Sequence, residues 1–142
     1  MDIKEMIEII EKGSETERLY LFSHLCDVFE SYNKNIFNFR EIVELLIDYV
    51  AAGPDDDAKS EALEAICNAQ TYQDTEDINF DKIEVELSKI NTLEFKEKFI
   101  EILGYTHNKK YLETILRFKD HGDRYVKKAV EDALIEMGVI HL

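Results

Sequence analysis

Val126-Lys-Lys-Ala-Val-Glu-Asp-Ala-Leu134 is the clearest copy of a nine-residue pattern, the repeat template, that recurs along this chain. Its first, fifth, eighth and ninth positions are apolar, and these positions share one face of an α-helix. Its second position is basic. Ala58–Ile66 and Phe95–Leu103 match all of these positions, and Glu17–Leu25 keeps the basic residue and two of the apolar ones. The template predicts four related amphipathic helices.

The segment before the first of these four helices and the segments between them also have helical periodicity. They lie at Ile3–Ile10, Phe39–Ala52, Ile83–Ile90 and Tyr111–Leu116. No segment alternates convincingly between apolar and polar residues, so no strand is predicted. The sequence therefore predicts an all-α protein of about eight helices.

Short polar segments, glycines and one proline mark the predicted helix ends. Ser14 and Glu17 have the spacing of a capping box at the start of the second helix. Gly53-Pro54 is expected to end the third helix, and Gly104 the sixth. Thr71–Asn79 is polar and acidic, and we predict it as the longest loop.

The basic residues of the four template copies are separated by 41, 37 and 31 positions; they are Arg18, Lys59, Lys96 and Lys127. Such periods are close to those of two-helix solenoid repeats, and the chain resembles HEAT-like α-helical repeats. The resemblance is clearest from Tyr111 to Gly138, where Asp120 and Lys127 match the acidic–basic ladder of that family. The chain departs from the family because it lacks the proline that opens the first helix of a repeat.

The resemblance implies a single domain, residues 1–142, in which four antiparallel helix pairs stack as a HEAT-like α-solenoid. The second helix of each pair would then line the concave side. An irregular helical bundle is the alternative, because small-residue helices also occur in bundles. The residues expected between the helix layers are Ala62, Ala65, Ile66, Phe99, Leu103, Val130, Ala133 and Leu134.

The net charge limits the partners that this chain can have. The 142 residues include 17 Lys+Arg and 31 Asp+Glu, a formal net charge of −14, and the middle of the chain, residues 55–101, contributes −9. This excess argues against nucleic acid and anionic membranes as partners, since both are polyanions. No run of about 18 apolar residues is present, and the amphipathic N-terminus lacks the apolar core of a signal peptide. We therefore expect a cytoplasmic protein.

No motif for catalysis, nucleotide binding or metal binding is evident. The histidines lack the spacings of paired metal ligands; they are His24, His107, His121 and His141. The acidic segment that begins at Asp74 fails as a calcium loop, because Asn79 and Val85 stand where Gly and a bidentate Glu are needed. We expect no metal, no cofactor and no catalytic residue. An enzyme with an unrecognised carboxylate site is an alternative.

The two cysteines, Cys26 and Cys67, directly follow the template in the second and fourth helices. They lack CxxC spacing and lie in apolar helical patterns. We therefore expect buried, reduced thiols that act as small apolar side chains.

Acidic residues recur at template positions that face away from the core. Stacked second helices would align them into a ridge, with about 10 Å between neighbouring helices. The predicted partner-binding residues are Glu61, Glu64, Glu97, Glu101 and Asp132 on the helices and Asp74, Glu76 and Asp77 in the long loop. A solvated face that only keeps the protein soluble is the alternative interpretation.

These features together predict a protein-binding module that docks a basic protein through an acidic surface. In size, charge and helical class the chain is similar to small acidic bacterial immunity or antitoxin proteins, which cover the basic clefts of nuclease toxins. That similarity implies a nuclease-type toxin as partner and a chain that is monomeric on its own. A HEAT-like scaffold or regulatory adaptor is the second interpretation. Tyr72, Tyr105 and Tyr125 are candidate aromatic anchors near predicted helix ends.

Overall fold

The computed structural model describes residues 1–140, and its regular structure over that range is helical, without strands. This confirms the predicted all-α class. The eight α-helices of the described residues are α1 (Ile3–Lys12), α2 (Glu15–Glu30), α3 (Phe39–Ala52), α4 (Asp56–Tyr72), α5 (Asp81–Leu87), α6 (Leu93–Tyr105), α7 (Leu112–Leu116) and α8 (Arg124–Glu136). A single 3₁₀ turn, Lys109–Tyr111, precedes α7. Among these helices none is long and apolar enough to cross a bilayer.

Helix packing divides the chain into two compact units. The N-terminal unit runs from Met1 to Asn79 and contains α1 to α4. The C-terminal unit begins at Phe80 and contains α5 to α8. The single domain expected from the sequence stays a prediction.

The N-terminal unit is built around α4. Helix α4 makes its most extensive contact with α2. Helix α3 also packs on α4, and α1 contacts α2 and α3. The face of α4 that carries Ala58, Ala62, Ala65 and Ala69 is fully buried, and such small side chains let neighbouring helices approach closely. Larger apolar side chains fill the rest of this core; among them are Phe22, Phe29, Leu46, Leu63 and Ile66. The predicted burial of Ala62, Ala65 and Ile66 is confirmed.

The C-terminal unit is built around the contact between α6 and α8. The template positions predicted to form this core are all buried; they are Phe99, Leu103, Val130, Ala133 and Leu134. Gly104 lies inside α6 at this contact, where an added Cβ would stand 2.5 Å from the Cβ of Ala133. The prediction that Gly104 ends the sixth helix is therefore wrong, because this glycine serves helix packing and α6 continues to Tyr105.

The capping box at the start of α2 is confirmed. Ser14 Oγ accepts a hydrogen bond from the Glu17 amide at 3.1 Å, and Glu17 Oε1 accepts one from the Ser14 amide at 3.0 Å. These bonds satisfy amide groups that have no partner within the helix. Gly53 follows the last residue of α3, as the Gly53-Pro54 pair predicts.

Three further segment boundaries differ from the sequence prediction. Helix α4 extends to Tyr72, so the following loop is shorter than Thr71–Asn79. Helix α5 ends at Leu87, which leaves Ile90 outside it. Helix α7 is only five residues long, and Leu116, predicted on its apolar face, is 37% exposed. A helix this short covers too little surface to bury every apolar side chain of its pattern.

Candidate functional site

The negative charge is concentrated in one of the two units. The N-terminal unit holds 6 Lys+Arg against 19 Asp+Glu, a formal net charge of −13, whereas residues 80–142 hold 11 against 12, a net charge of −1. The sequence placed the excess in the middle of the chain, since residues 55–101 carry −9. That middle segment spans the boundary between the units, and the fold assigns almost all of the excess to the N-terminal unit.

In the C-terminal unit, two of the predicted binding residues are neutralised by lysines of their own helix. Glu101 Oε2 lies 3.7 Å from Lys98 Nζ on α6, and Asp132 Oδ2 lies 3.3 Å from Lys128 Nζ on α8. The third predicted residue of this unit, Glu97, is half-buried on α6. Glu101 and Asp132 therefore contribute little net charge to a binding surface.

In the N-terminal unit, the structure places the other five predicted binding residues on α4 and on the loop that follows it. Glu64 is exposed and Glu61 is half-buried on α4, and the loop carboxylates are all exposed; they are Asp74, Glu76 and Asp77. Within residues 1–140, no lysine or arginine nitrogen lies within 4 Å, ion-pair distance, of the carboxylate oxygens of Glu61, Asp74, Glu76 or Asp77. These carboxylates are the part of the predicted ridge and loop that keeps its charge.

Hydrogen bonds hold the acidic loop in place after α4. Gln73 Nε2 donates to the Phe29 carbonyl at 2.9 Å, and Arg40 Nη2 donates to the Asp77 carbonyl at 2.7 Å. Asp74 Oδ1 accepts from the Glu76 amide at 2.9 Å. The backbone of the loop is thus tied to α2 and α3.

The side of α2 that faces α4 carries Cys26, whose thiol reports the local electrostatics. Cys26 Sγ lies 3.7 Å from the Glu61 carbonyl oxygen and 3.9 Å from Glu61 Oε1. Burial, and then the carboxylates of Glu61, Glu64 and Asp27, raise the pKa of the Cys26 thiol to about 12. Several carboxylates therefore act on one point of this surface.

The two thiols are less buried than the sequence predicts. Cys26 and Cys67 are both half-buried, and no disulfide bond joins them. Cys26 follows the core residue Leu25, and Cys67 follows the core residue Ile66. This position faces the edge of the α2–α4 contact instead of its centre.

A cleft opens beside this surface. It is lined by Thr16, Leu19, Tyr20 and Ser23 of α2 and by Glu61 of α4, and its volume is about 410 Å³. The Tyr20 side chain is 76% exposed at the cleft.

Sequence reasoning missed Tyr20 and selected three other tyrosines. Of those, Tyr72 and Tyr105 are 38% exposed, and Tyr125 stacks under Arg124, whose Cζ lies 4.8 Å from the ring centroid. The signal that could have found Tyr20 is its template position. Tyr20 and Glu61 both occupy the fourth position, in the two copies that form α2 and α4.

Two histidines, His107 and His121, make local contacts. His107 Nε2 lies 2.7 Å from Glu136 Oε1, and His121 Nδ1 accepts a hydrogen bond from the Asp123 amide at 3.0 Å. His24 is exposed on α2, and His141 lies outside the described residues. Over residues 1–140, no three His, Cys, Asp or Glu side chains are grouped so that they could hold a metal ion. The expectation of no metal site stays a prediction.

Comparison with protein-family models, with curated proteins and with solved structures finds no match to this chain. The resemblances to HEAT-like repeats and to immunity proteins therefore stay predictions. The acidic–basic ladder also stays a prediction. The two residues that would form it, Asp120 and Lys127, are both exposed. The most buried of the ion pairs described in this chain joins another template residue, Arg18, to Asp55.

Proposed function

We propose that this chain is a protein-binding module that docks a basic protein through its N-terminal unit. The binding surface would consist of Glu61, Glu64, Asp74, Glu76 and Asp77, called here the acidic surface. The observation that carries the proposal is the net charge of −13 on residues 1–79, against −1 on the rest of the chain. Complementary charge accelerates encounter with a basic partner and repels polyanionic competitors.

The finer proposal is that the chain acts as an immunity or antitoxin protein that neutralises a nuclease-type toxin. A nuclease must attract the phosphate backbone of its substrate, so its active cleft carries positive charge. A surface of carboxylates can occupy such a cleft in place of the phosphates. The small size and strong negative charge of the chain support this proposal.

A HEAT-like adaptor is the second candidate function, and the helix contacts favour it. In the N-terminal unit α2 contacts α4 and α1 contacts α3, while α1 packs on α2 and α3 packs on α4. These are the contacts that two stacked helix pairs would make. We infer a HEAT-like arrangement of two helix pairs in the N-terminal unit, which would suit a scaffold for peptides or subunits as well as an inhibitor.

The test begins with capture of the partner from the native cell on the immobilised chain and identification of the bound protein. The immunity proposal requires a basic protein whose nuclease activity is lost when one equivalent of this chain is added. Its association rate should fall about tenfold or more between about 0.01 M and 0.15 M salt, because the Debye length shrinks from about 30 Å to about 8 Å.

Three outcomes separate the candidates. A basic partner without nuclease activity would support the adaptor. An acidic partner would contradict the docking of a basic protein and with it the immunity proposal. An association rate that does not change with salt would contradict docking through charge in the same way.

A further inference from the structure

We propose that the cleft lined by Tyr20 and Glu61 is a subsite for one arginine side chain of the basic partner. This inference rests on the proposed function and deepens it, because it names the chemical group that the N-terminal unit recognises.

The lining of the cleft matches an arginine side chain group by group. Tyr20 presents an exposed aromatic ring, on which a guanidinium group can stack. Glu61, the charged member of the lining, presents a carboxylate that can accept two parallel N–H bonds from the same group. Leu19 offers an apolar wall to the methylene carbons. The volume of about 410 Å³ is ample for one side chain, since whole-ligand pockets are typically about 300–1,000 Å³.

The surroundings of the cleft favour a cation. Glu61 Oε1 lies 3.9 Å from Cys26 Sγ, and after burial the carboxylates of Glu61, Glu64 and Asp27 contribute to the raised pKa of that thiol, as expected where negative charge is concentrated. The same field attracts a guanidinium group. Glu61 is also half-buried, and partial burial strengthens its attraction for a cation relative to a fully solvated carboxylate.

The N-terminal unit itself contains an arginine held by the same two kinds of group. Arg18 Nη1 donates to Asp55 Oδ2 at 2.9 Å, and Arg18 Cζ lies 5.8 Å from the centroid of the Tyr49 ring. The cleft offers a tyrosine ring and a carboxylate again, from Tyr20 and Glu61. Arginine is preferred to lysine because its planar group can stack on a ring and form a fork with a carboxylate at once.

The experiment is a titration of the full chain with N-acetyl-arginine methylamide, followed by two-dimensional NMR of the backbone amides. The uncharged isostere N-acetyl-citrulline methylamide is the matched probe. We expect saturable shifts centred on Thr16, Tyr20, Ser23 and Glu61 with the arginine compound and at least about tenfold smaller shifts with the citrulline compound. Equal shifts with the two compounds, or shifts centred elsewhere, would overturn the subsite.

Variants test the two groups separately. Tyr20→Ala and Glu61→Gln should each weaken binding of the arginine compound about threefold to tenfold, the range expected for loss of a ring or a charge at a partly solvated site. Tyr20→Leu, which keeps apolar bulk, should behave like Tyr20→Ala. The controls are Tyr32→Ala and Glu30→Gln, which remove an exposed ring and an exposed carboxylate outside the cleft. Equal losses in the controls would overturn the subsite.

The subsite and the proposed function can fail independently. If the arginine compound binds in the cleft but the captured partner is acidic, the subsite stands and the proposed function fails. If a basic partner binds with the expected salt dependence and Tyr20→Ala leaves its affinity unchanged, the function stands and the subsite is overturned.

Discussion

Gly104 shows how one missing side chain sets the distance between two helices. An alanine at this position would place its Cβ 2.5 Å from Ala133 Cβ and 2.7 Å from Ala133 Cα, so α6 and α8 would have to separate. Overpacking usually costs about 1–3 kcal/mol, and better helix propensity offsets up to about 1 kcal/mol of that cost. We predict that Gly104→Ala lowers the free energy of unfolding by about 1–2 kcal/mol. Urea denaturation followed by circular dichroism measures the change in the free energy of unfolding.

Gly122→Ala is the matched control. No atom lies within 4 Å of a Cβ built at this position in the loop before α8. Its effect should therefore stay within about 1 kcal/mol of wild type. If both alanine variants lose the same stability, the contact between α6 and α8 does not depend on Gly104.

Cys26 gives a second prediction at the scale of one residue. With a pKa of about 12, only about one thiol in 10⁴ is a thiolate at pH 8, and the thiolate is the reactive form. In a Cys67→Ser background, alkylation by iodoacetamide should be far slower in the native than in the denatured chain. The rate of alkylation of the native chain should rise about tenfold per pH unit. Glu61→Gln should accelerate it, because removing a neighbouring carboxylate lowers the pKa of the thiol.

The sign of the linked stability change follows from the same pKa. The unfolded thiol ionises near pH 8.5, at about its ordinary pKa, while the folded thiol stays protonated up to about pH 12. The contribution of Cys26 to stability is therefore complete below about pH 8.5 and decreases as the pH rises above it. Native alkylation as fast as denatured alkylation would show that neither burial nor the carboxylates act on Cys26.

At the scale of helices, Arg18 joins segments that are far apart in the sequence. Its Nε donates to the Ile10 carbonyl of α1 at 2.9 Å, and its Nη1 donates to Asp55, directly before α4. Both side chains of the ion pair are largely buried, at 12% and 22% exposure. We predict that Arg18→Met lowers the free energy of unfolding by about 1.5–3 kcal/mol, since it removes charged hydrogen bonds from a partly buried site.

Lys128→Met is the control for Arg18. Lys128 pairs with Asp132 at 3.3 Å, but the two side chains are 69% and 55% exposed. Exposed pairs of this kind contribute about 0–1 kcal/mol. Thermal or urea unfolding that ranks the Lys128 variant as the less stable one would contradict the role given to Arg18.

The helices were predictable where the signal is local. Helix α3 has the predicted bounds, Phe39–Ala52, and the Ser14–Glu17 capping box starts α2 as its spacing predicts. Gly104 was misread because a glycine that ends a helix and a glycine that admits a neighbouring helix look alike in one sequence. The pairing of Arg18 with Asp55, 37 residues later, has no local signal.

The candidate site was predictable in composition and only partly in position. The sequence identified the carboxylates, but the distribution of net charge depends on where the units divide, and packing sets that division at Asn79. Neutralisation of Glu101 by Lys98, three residues away on the same helix, was visible in principle. The cleft at Tyr20 and Glu61 could not be predicted from the sequence, because it forms only where α2 and α4 meet.

At the scale of the whole molecule, the distribution of charge distinguishes binding by a defined surface from general attraction. Four reversals in the acidic surface, Glu61→Lys, Glu64→Lys, Glu76→Lys and Asp77→Lys, change the net charge from −14 to −6. The matched control makes the same change in the same unit at Glu5, Glu8, Glu41 and Glu44, all of them exposed on α1 and α3. Both variants should keep their helical circular dichroism, because every side chain that they replace is exposed or half-buried.

The most direct test of the proposed docking surface is the association rate constant of these two variants with the captured partner, measured at about 0.01 M ionic strength, where long-range attraction is strongest. We predict that reversal of the acidic surface slows association about tenfold or more and also speeds dissociation, through repulsion at the contact. The control variant should slow association several-fold at most and leave dissociation unchanged. Equal rate constants for the two variants would contradict docking through this surface.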